Sequence, residues 1–477
     1  MKKLKENEGV EMINKKEKQK NRLQYHIVPP HGLLNDPNGL SYFKGRHHIF
    51  YQWNPHGTTH QDKSWGHVST EDFIEWETHP LALEPGDWFD KDGCYSGSAV
   101  IHQKKMYLFY TGNVRNELDE RESYQCLATS EDGIYFRKQG PLLKQPKGYT
   151  AHVRDPKVWQ DEAGLWNMVL GAQTLEKKGT ALLYQSNNLI DWDFVKDIGK
   201  NLPFMGYMWE CPDFITLEND QVFLYCPQGS EIDSQPNENL YQSGYIIGNV
   251  LDDRTFKQEK SKFEKVDNGF EFYAPQTYQD STNRTILFGW LGLMKSEMER
   301  TFPSVKDGYI HTLTIPRFLE VDQGKLIQKP LPELKKLRKD QSIIYQNQEK
   351  IDLNFLTLQN EIECRWEDTE NIQMKIRKEV ELNYDAVKQE ITISRTNWET
   401  QMIEKRITQL DQPMHHLQVF MESSSLEFFV NEGEKVFSMR YVAEAAEKGF
   451  QMNQVGTRNS KVTIWALRSI EGILSQK

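Results

Sequence analysis

A polar turn followed seven residues later by an aromatic recurs at Ser69–Trp76, Thr129–Phe136, Gln185–Trp192 and Asn249–Phe256. The period is about sixty residues, enough for one small sheet of several short strands per unit. Apolar runs of strand length at 48–51, 106–110, 165–170, 222–225 and 285–290 alternate with these turns, which makes five units. Small sheets of this kind bury their faces only by stacking, and radial closure leaves just short edges. The repeat therefore predicts an all-β chain that opens with a five-bladed β-propeller over residues 23–330. The Lys- and Glu-rich residues 1–22 are expected to be a disordered or fraying lead-in.

Proline punctuation at Pro316, Pro330 and Pro332 ends the repeat. Glu333 to Lys339 has helix-forming composition, which predicts a linker helix over 331–345. Beyond it, alternation at 391–394, 417–420, 426–430 and 436–439 predicts a C-terminal β-sandwich over 346–477.

Several function classes are disfavoured. The net charge is −11 and no segment interleaves Lys and Arg with stacking aromatics, so no nucleic-acid partner is expected. No run of about 18 apolar residues occurs, so no membrane partner is expected. The N-terminus has no secretory h-region, and a cytoplasmic location is the expectation. Five cysteines form an odd set without C-x-x-C pairs, as reduced thiols do. His56 and His60 have a metal-like interval, but Gly57, Thr58 and Thr59 make the segment a loop without Cys or acidic partners at ligand spacing. Neither metal nor organic cofactor is expected. The partner should be a small-molecule sugar, and the chain a monomer or homodimer.

Three short motifs carry the chemistry: Asn35-Asp36-Pro37-Asn38-Gly39, Arg154-Asp155-Pro156 and Glu210-Cys211-Pro212-Asp213. Each alone reads as an ordinary turn or strand edge. Jointly, Asp36, Asp155 and Glu210 fall near the starts of units one, three and four. In a propeller the first strand of each blade lines the axis, so the three carboxylates should converge. Met208 and Trp209 before Glu210, and Cys211 and Pro212 after it, predict apolar surroundings that favour its protonated form. One ionised and one protonated carboxyl are what glycosidic cleavage requires.

The ordered set of motifs resembles the glycoside hydrolases of family 32, the invertases and fructanases. It comprises His31–Gly39, Phe50–Pro55, Trp65-Gly66, Tyr95–Ser98, Arg154–Pro156, Glu210-Cys211, Phe272–Gln276 and Leu313–Arg317. That resemblance implies a nucleophile at Asp36, a general acid and base at Glu210, and a sugar-gripping carboxylate at Asp155. It places Leu33, Leu34, Asn35, Gln52, Trp65, Tyr95, Ser96, Arg154, Tyr273 and Trp290 around the substrate. Leu33-Leu34 stands where secreted plant and yeast members carry Trp-Met, and Phe318 replaces a family Glu. The first departure is similar to the intracellular bacterial branch, which implies sucrose 6-phosphate as substrate, with Arg115 or Arg121 against the phosphate. A fructan-cleaving β-fructosidase is the alternative, and a fructoside-binding propeller without catalysis is a remote one.

Overall fold

The computed structural model describes residues 22–472, apart from 203–204, 251–253, 255, 259–261, 445 and 471. Most of the expected N-terminal lead-in and part of the Asn249–Phe256 turn lie outside the described residues. What is described is all-β, organised as seven sheets. Five small sheets follow one another along the chain, and each opens on a long strand: Gly32–Phe43, Cys94–His102, Tyr149–Gln160, Met208–Leu217 and Phe272–Gln279. The apolar runs singled out in the sequence are the second strands: Arg46–Asn54, Lys105–Arg115, Trp166–Thr174, Asp220–Gln228 and Thr285–Leu291. They are buried on both faces, which is why they read as continuous apolar runs rather than as alternation. In the first three sheets the recurring turn closes the hairpin from the third strand to the fourth, and its aromatic leads the outer strand.

The five opening strands touch in sequence, first to second and so on, and the fifth touches the first. Their C-terminal halves jointly line a cavity of about 1060 Å³ through residues such as Ser41, Val100, Val158, Ile215 and Tyr278. After the fifth sheet begins, the chain returns to the first, where Tyr309-Ile310 pairs in parallel with Gly32-Leu33. Lys157 sits among these strands, reaching Asp213 Oδ1 at 3.0 Å, while Thr277 donates its backbone N–H to Asp213 Oδ2 at 2.8 Å. Asp213, the last residue of the third motif, is thus a tie between opening strands.

Two six-stranded antiparallel sheets follow, with a shared apolar core that includes Ile362, Met374, Ile393, Val419 and Phe428. The helix expected over 331–345 is only a 3-10 segment, Pro332–Leu337, and Arg338–Gln346 is a strand of the first six-stranded sheet. The reason is tertiary. Arg338 stacks on Trp465 at 3.6 Å and donates from Nε to Glu361 at 2.7 Å, which holds the chain extended where local propensity favours helix.

The two parts meet through buried charge. Arg317 donates to Asp267 Oδ2 at 3.1 Å and to Glu427 Oε2 at 2.6 Å with no exposure of any of the three side chains. His26 lies between Glu422 at 2.7 Å and Glu427 at 3.0 Å. Arg395 adds a contact to Glu271 at 2.6 Å. Breaking one partner of such a network leaves a buried charge uncompensated, at a cost of about 3–5 kcal/mol.

Candidate active site

The candidate residues gather because every opening strand carries a register shift at the same level. The shifts fall between Leu34 and Pro37, between Tyr95 and Gly97, across Arg154–Lys157, between Glu210 and Asp213, and between Tyr273 and Gln276. A bulge inserts an unpaired residue and re-aims its neighbours' side chains. Proline, which has no N–H for the ladder, is tolerated there, and Pro37, Pro156, Pro212 and Pro275 occupy four of the five. Asp155, Cys211 and Ala274 take positive φ of 64°, 46° and 48° at these points. At the second strand the shift turns on Gly97, whose missing Cβ would meet Phe109 O at 1.9 Å.

Glu210 is held by four hydrogen bonds from three side chains. Arg154 Nε and Nη2 reach its Oε1 at 3.1 and 2.6 Å, while Gln228 Nε2 and Tyr273 Oη reach Oε2 at 2.6 and 2.7 Å. The apolar surroundings expected from Met208, Trp209, Cys211 and Pro212 are therefore not what its carboxylate meets. In a strand, the flanking side chains point to other faces, and Trp209 is buried against Tyr225.

Asp36 is half-buried and accepts a hydrogen bond from Ser96 Oγ at 2.7 Å. Burial pushes its carboxyl above the ordinary value, the Ser96 hydrogen bond opposes that, and the charge of Glu210 adds to it. Asp155 is buried, with Oδ2 accepting Cys211 N–H at 2.9 Å and its own N–H donated to Thr111 Oγ1 at 3.0 Å. Burial raises its carboxyl too, against the pull of Arg154, and the charges of both Glu210 and Asp36 act on it. Glu210 thus lies close enough to Asp36 and Asp155 for its charge to act on both carboxyls.

Behind Asp36, Asn35 donates to Gln52 Oε1, and Gln52 Nε2 donates to Ser96 Oγ at 2.9 Å. The structure brings Asn35, Gln52, Ser96, Arg154 and Tyr273 together in one polar cluster. Tyr95 borders it, with Arg121 over its ring at 5.7 Å. Trp65 stands behind, fully buried, donating Nε1 to Tyr95 O at 3.1 Å. Leu33 and Leu34 do not meet the polar groups: both are fully buried, Leu33 with Phe302 and Ile310, Leu34 in the large apolar cluster. Trp290 is buried with its N–H unpartnered, edge-on to His60 and His311.

The two arginine candidates separate. Arg115 is exposed and pairs with Asp119 at 3.0 Å inside its own turn. Arg121 turns to the site, where its Nη1 and Arg154 Nη1 both donate to His152 Nδ1 at 3.4 and 3.1 Å. Burial and the two guanidinium charges lower His152 to about 4, so its ring is neutral. Sequence reasoning missed Lys63, Thr111, His152 and Gln228. Only Lys63 left a trace, as a lysine two residues before the Trp65-Gly66 motif.

His60, Glu299 and His311 offer three ligand atoms within 4.8 Å of one another, a partner set not expected for His60, and His56 is not among them. Glu299 Oε1 already accepts from His60 Nε2 at 3.0 Å and His311 Nε2 at 2.6 Å. On the other side of His60, Lys63 Nζ lies 3.2 Å from Nδ1. An ammonium can only donate, which leaves the proton on Nε2, directed at Glu299. That tautomer suits a hydrogen-bonded brace better than a metal ligand, which needs Nε2 bare.

Residues 26–330 match the glycosyl hydrolases family 32 N-terminal domain, and 333–466 match the family 32 C-terminal region. The chain belongs to glycosyl hydrolase family 32. Among its relatives, the sucrose-6-phosphate hydrolase of Bacillus subtilis (strain 168) is 42% identical over 461 residues, 94% of each chain. That of Klebsiella pneumoniae is 38% identical over 88% of each. A solved structure of sucrose-6-phosphate hydrolase from Lactobacillus gasseri superposes with a TM-score of 0.87 at 28% identity, covering 94% of both chains.

Proposed function

We propose that this chain is a retaining β-fructofuranosidase that hydrolyses sucrose 6-phosphate to glucose 6-phosphate and fructose, with sucrose as the poorer substrate, in the cytoplasm. The observation that carries it is the convergence of Asp36, Asp155 and Glu210 at one level of three opening strands, each carboxylate on a bulge and each with its own donors. The names of the family-32 relatives support the substrate. The mutual contacts of the opening strands and the return of Tyr309-Ile310 to the first sheet support a five-bladed propeller over 23–330 as the frame. The sandwich then begins at Arg338 rather than at 346.

Asp36 attacks C2 of the fructosyl unit while Glu210 protonates the departing glucose oxygen. The C2–O bond to glucose breaks as the ester to Asp36 forms. Water, deprotonated by Glu210, then attacks C2 and releases Asp36, so two displacements retain configuration. This route calls for the two carboxyls to lie about 5–5.5 Å apart in the productive complex. Arg154 beside Oε1 offsets the charge that Glu210 acquires when its proton leaves, and Gln228 and Tyr273 fix its direction. Asp155, locked by Cys211 N–H, presents its carboxylate to fructosyl hydroxyls, where hydrogen bonds strengthen as C2 becomes cationic.

Arg121 and Arg154 crowd one neutral imidazole, and only Arg154 has a carboxylate partner among the contacts described. A phosphate on the leaving sugar would supply the missing anion to Arg121, which we assign as the phosphate contact in place of Arg115. The test is kcat/KM for sucrose 6-phosphate, sucrose and inulin-type oligomers, with Asp36→Asn as the control. A clear preference for the phosphorylated sugar is expected. Equal values, or an oligomer preference, would remove the phosphate assignment, and an inactive wild type would remove hydrolysis.

A further inference from the structure

Lys63 is 5% exposed, and no motif assigns it a role. Its Nζ hydrogen-bonds Asn35 Oδ1 and His60 Nδ1. A buried ammonium has three donors and no acceptor, so the direction of every bond beyond it follows. Asn35 must turn its oxygen to Lys63 and therefore its amide N–H to Gln52 Oε1. Gln52 must then turn its own N–H to Ser96 Oγ at 2.9 Å. Ser96, whose oxygen now accepts, spends its one proton on Asp36 Oδ2 at 2.7 Å. The chain ends by demanding an acceptor.

We infer that Lys63 is a positioning residue that polarises the Asn35–Gln52–Ser96 chain in one direction, so that Asp36 is presented to the substrate as an ionised acceptor. This rests on the role of Asp36 proposed above. Without the ammonium each amide can flip, and Ser96 is free to accept from a protonated Asp36 instead. The other end of Lys63 is held by the brace already described: His60 donates its Nε2–H to Glu299, which also accepts from His311 Nε2. Glu299 lies on the short helix Ser296–Thr301, after the fifth sheet's second strand, so the chain ties a loop outside the motifs to the nucleophile.

The groups that face Asp36 electrostatically are Glu210, Asp155, Lys63 and the buried thiols of Cys211 and Cys226. Lys63 is the cation among these groups, and it favours the ionised form of Asp36. In Lys63→Met the acid limb of kcat/KM should therefore move up by about one pH unit, equivalent to a tenfold loss on that limb. Adding Ser96→Ala to Lys63→Met should cost less than Ser96→Ala costs alone, because the chain is already broken.

Infrared difference spectra against Asp36→Asn, taken without sugar, read the ionised fraction of Asp36 whether or not the enzyme turns over. They should show a larger protonated fraction in Lys63→Met at a pH near 5.5. Should Lys63→Met fail to fold, Gln52→Met cuts the same chain one link on and must give the same infrared change. An unmoved acid limb, an unchanged ionised fraction or strictly additive losses overturn the inference. Absence of wild-type turnover would instead strike the proposed activity and leave the infrared result to decide this one.

Discussion

Tyr273→Phe removes one oxygen and nothing else. The ring is 5% exposed and packs near Tyr241 at 6.2 Å, so the substitution opens no cavity of consequence. What it deletes is the 2.7 Å hydrogen bond to Glu210 Oε2. A hydrogen bond to a charged group contributes about 1.5–3 kcal/mol. Gln228 still donates to the same oxygen at 2.6 Å and Arg154 still grips the other, so the lower part of that range applies. A loss of about 1.5–2 kcal/mol corresponds to roughly 10–30-fold in kcat/KM. The assay compares sucrose 6-phosphate with an activated aryl β-fructofuranoside, whose leaving group departs without a proton. The natural substrate should lose the full factor and the aryl substrate markedly less, with Tm unchanged within about 2 °C. A change under twofold on both substrates would refute the view that Tyr273 acts through Glu210, and equal losses on both would place its effect elsewhere.

Arg121→Met should lower kcat/KM for sucrose 6-phosphate about 10–100-fold while leaving sucrose within threefold, since a charged pair to phosphate contributes about 1.5–3 kcal/mol; Arg115→Ala should alter neither, and parallel losses on both sugars would sink the assignment. His26 bears on pH stability. Burial would lower its pKa, but the hydrogen bonds and charges of Glu422 and Glu427 outweigh this and lift it to about 9 from 6.5. A group raised in the folded state contributes stability that is fully present below its unfolded pKa and lost as pH rises through the folded value. Urea unfolding should therefore show stability falling between pH 6.5 and 9.5, by about 3 kcal/mol. His26→Asn should lack that component of the slope, and an identical slope in the variant would contradict the bridging role.

The candidate constellation was legible because its parts are local. Asp36, Asp155 and Glu210 each precede a proline by at most two residues, and those prolines mark bulges that a sequence shows as Asp-Pro or Cys-Pro. Their repeat spacing did the rest. Thr111 and Gln228 were not legible, since Thr111 meets Asp155 from the neighbouring sheet, Gln228 meets Glu210 from the next strand of its own sheet, and both residue types are common on surfaces. The environment of Glu210 was misjudged for a related reason: sequence neighbours on a strand point away from one another, so Trp209 says little about what Glu210 meets. Leu33 and Leu34 share that fate. Glu333–Lys339 failed as a helix because Glu361 and Trp465, distant in sequence, claim Arg338. Arg115 and Arg121 looked equivalent as charges in one loop, and only the partners Asp119 and His152 tell them apart.

The central claim is a covalent fructosyl ester on Asp36. Glu210→Gln, mixed with an activated aryl β-fructofuranoside and quenched in acid within seconds, should accumulate that ester, because the first step needs no proton from residue 210 and the second needs its base. Peptide mass spectrometry should find one fructosyl adduct, on the peptide containing Asp36, and NMR of the wild-type reaction should show first-formed fructose with retained β configuration. An adduct on any other residue, or fructose released with inverted configuration, would contradict the account.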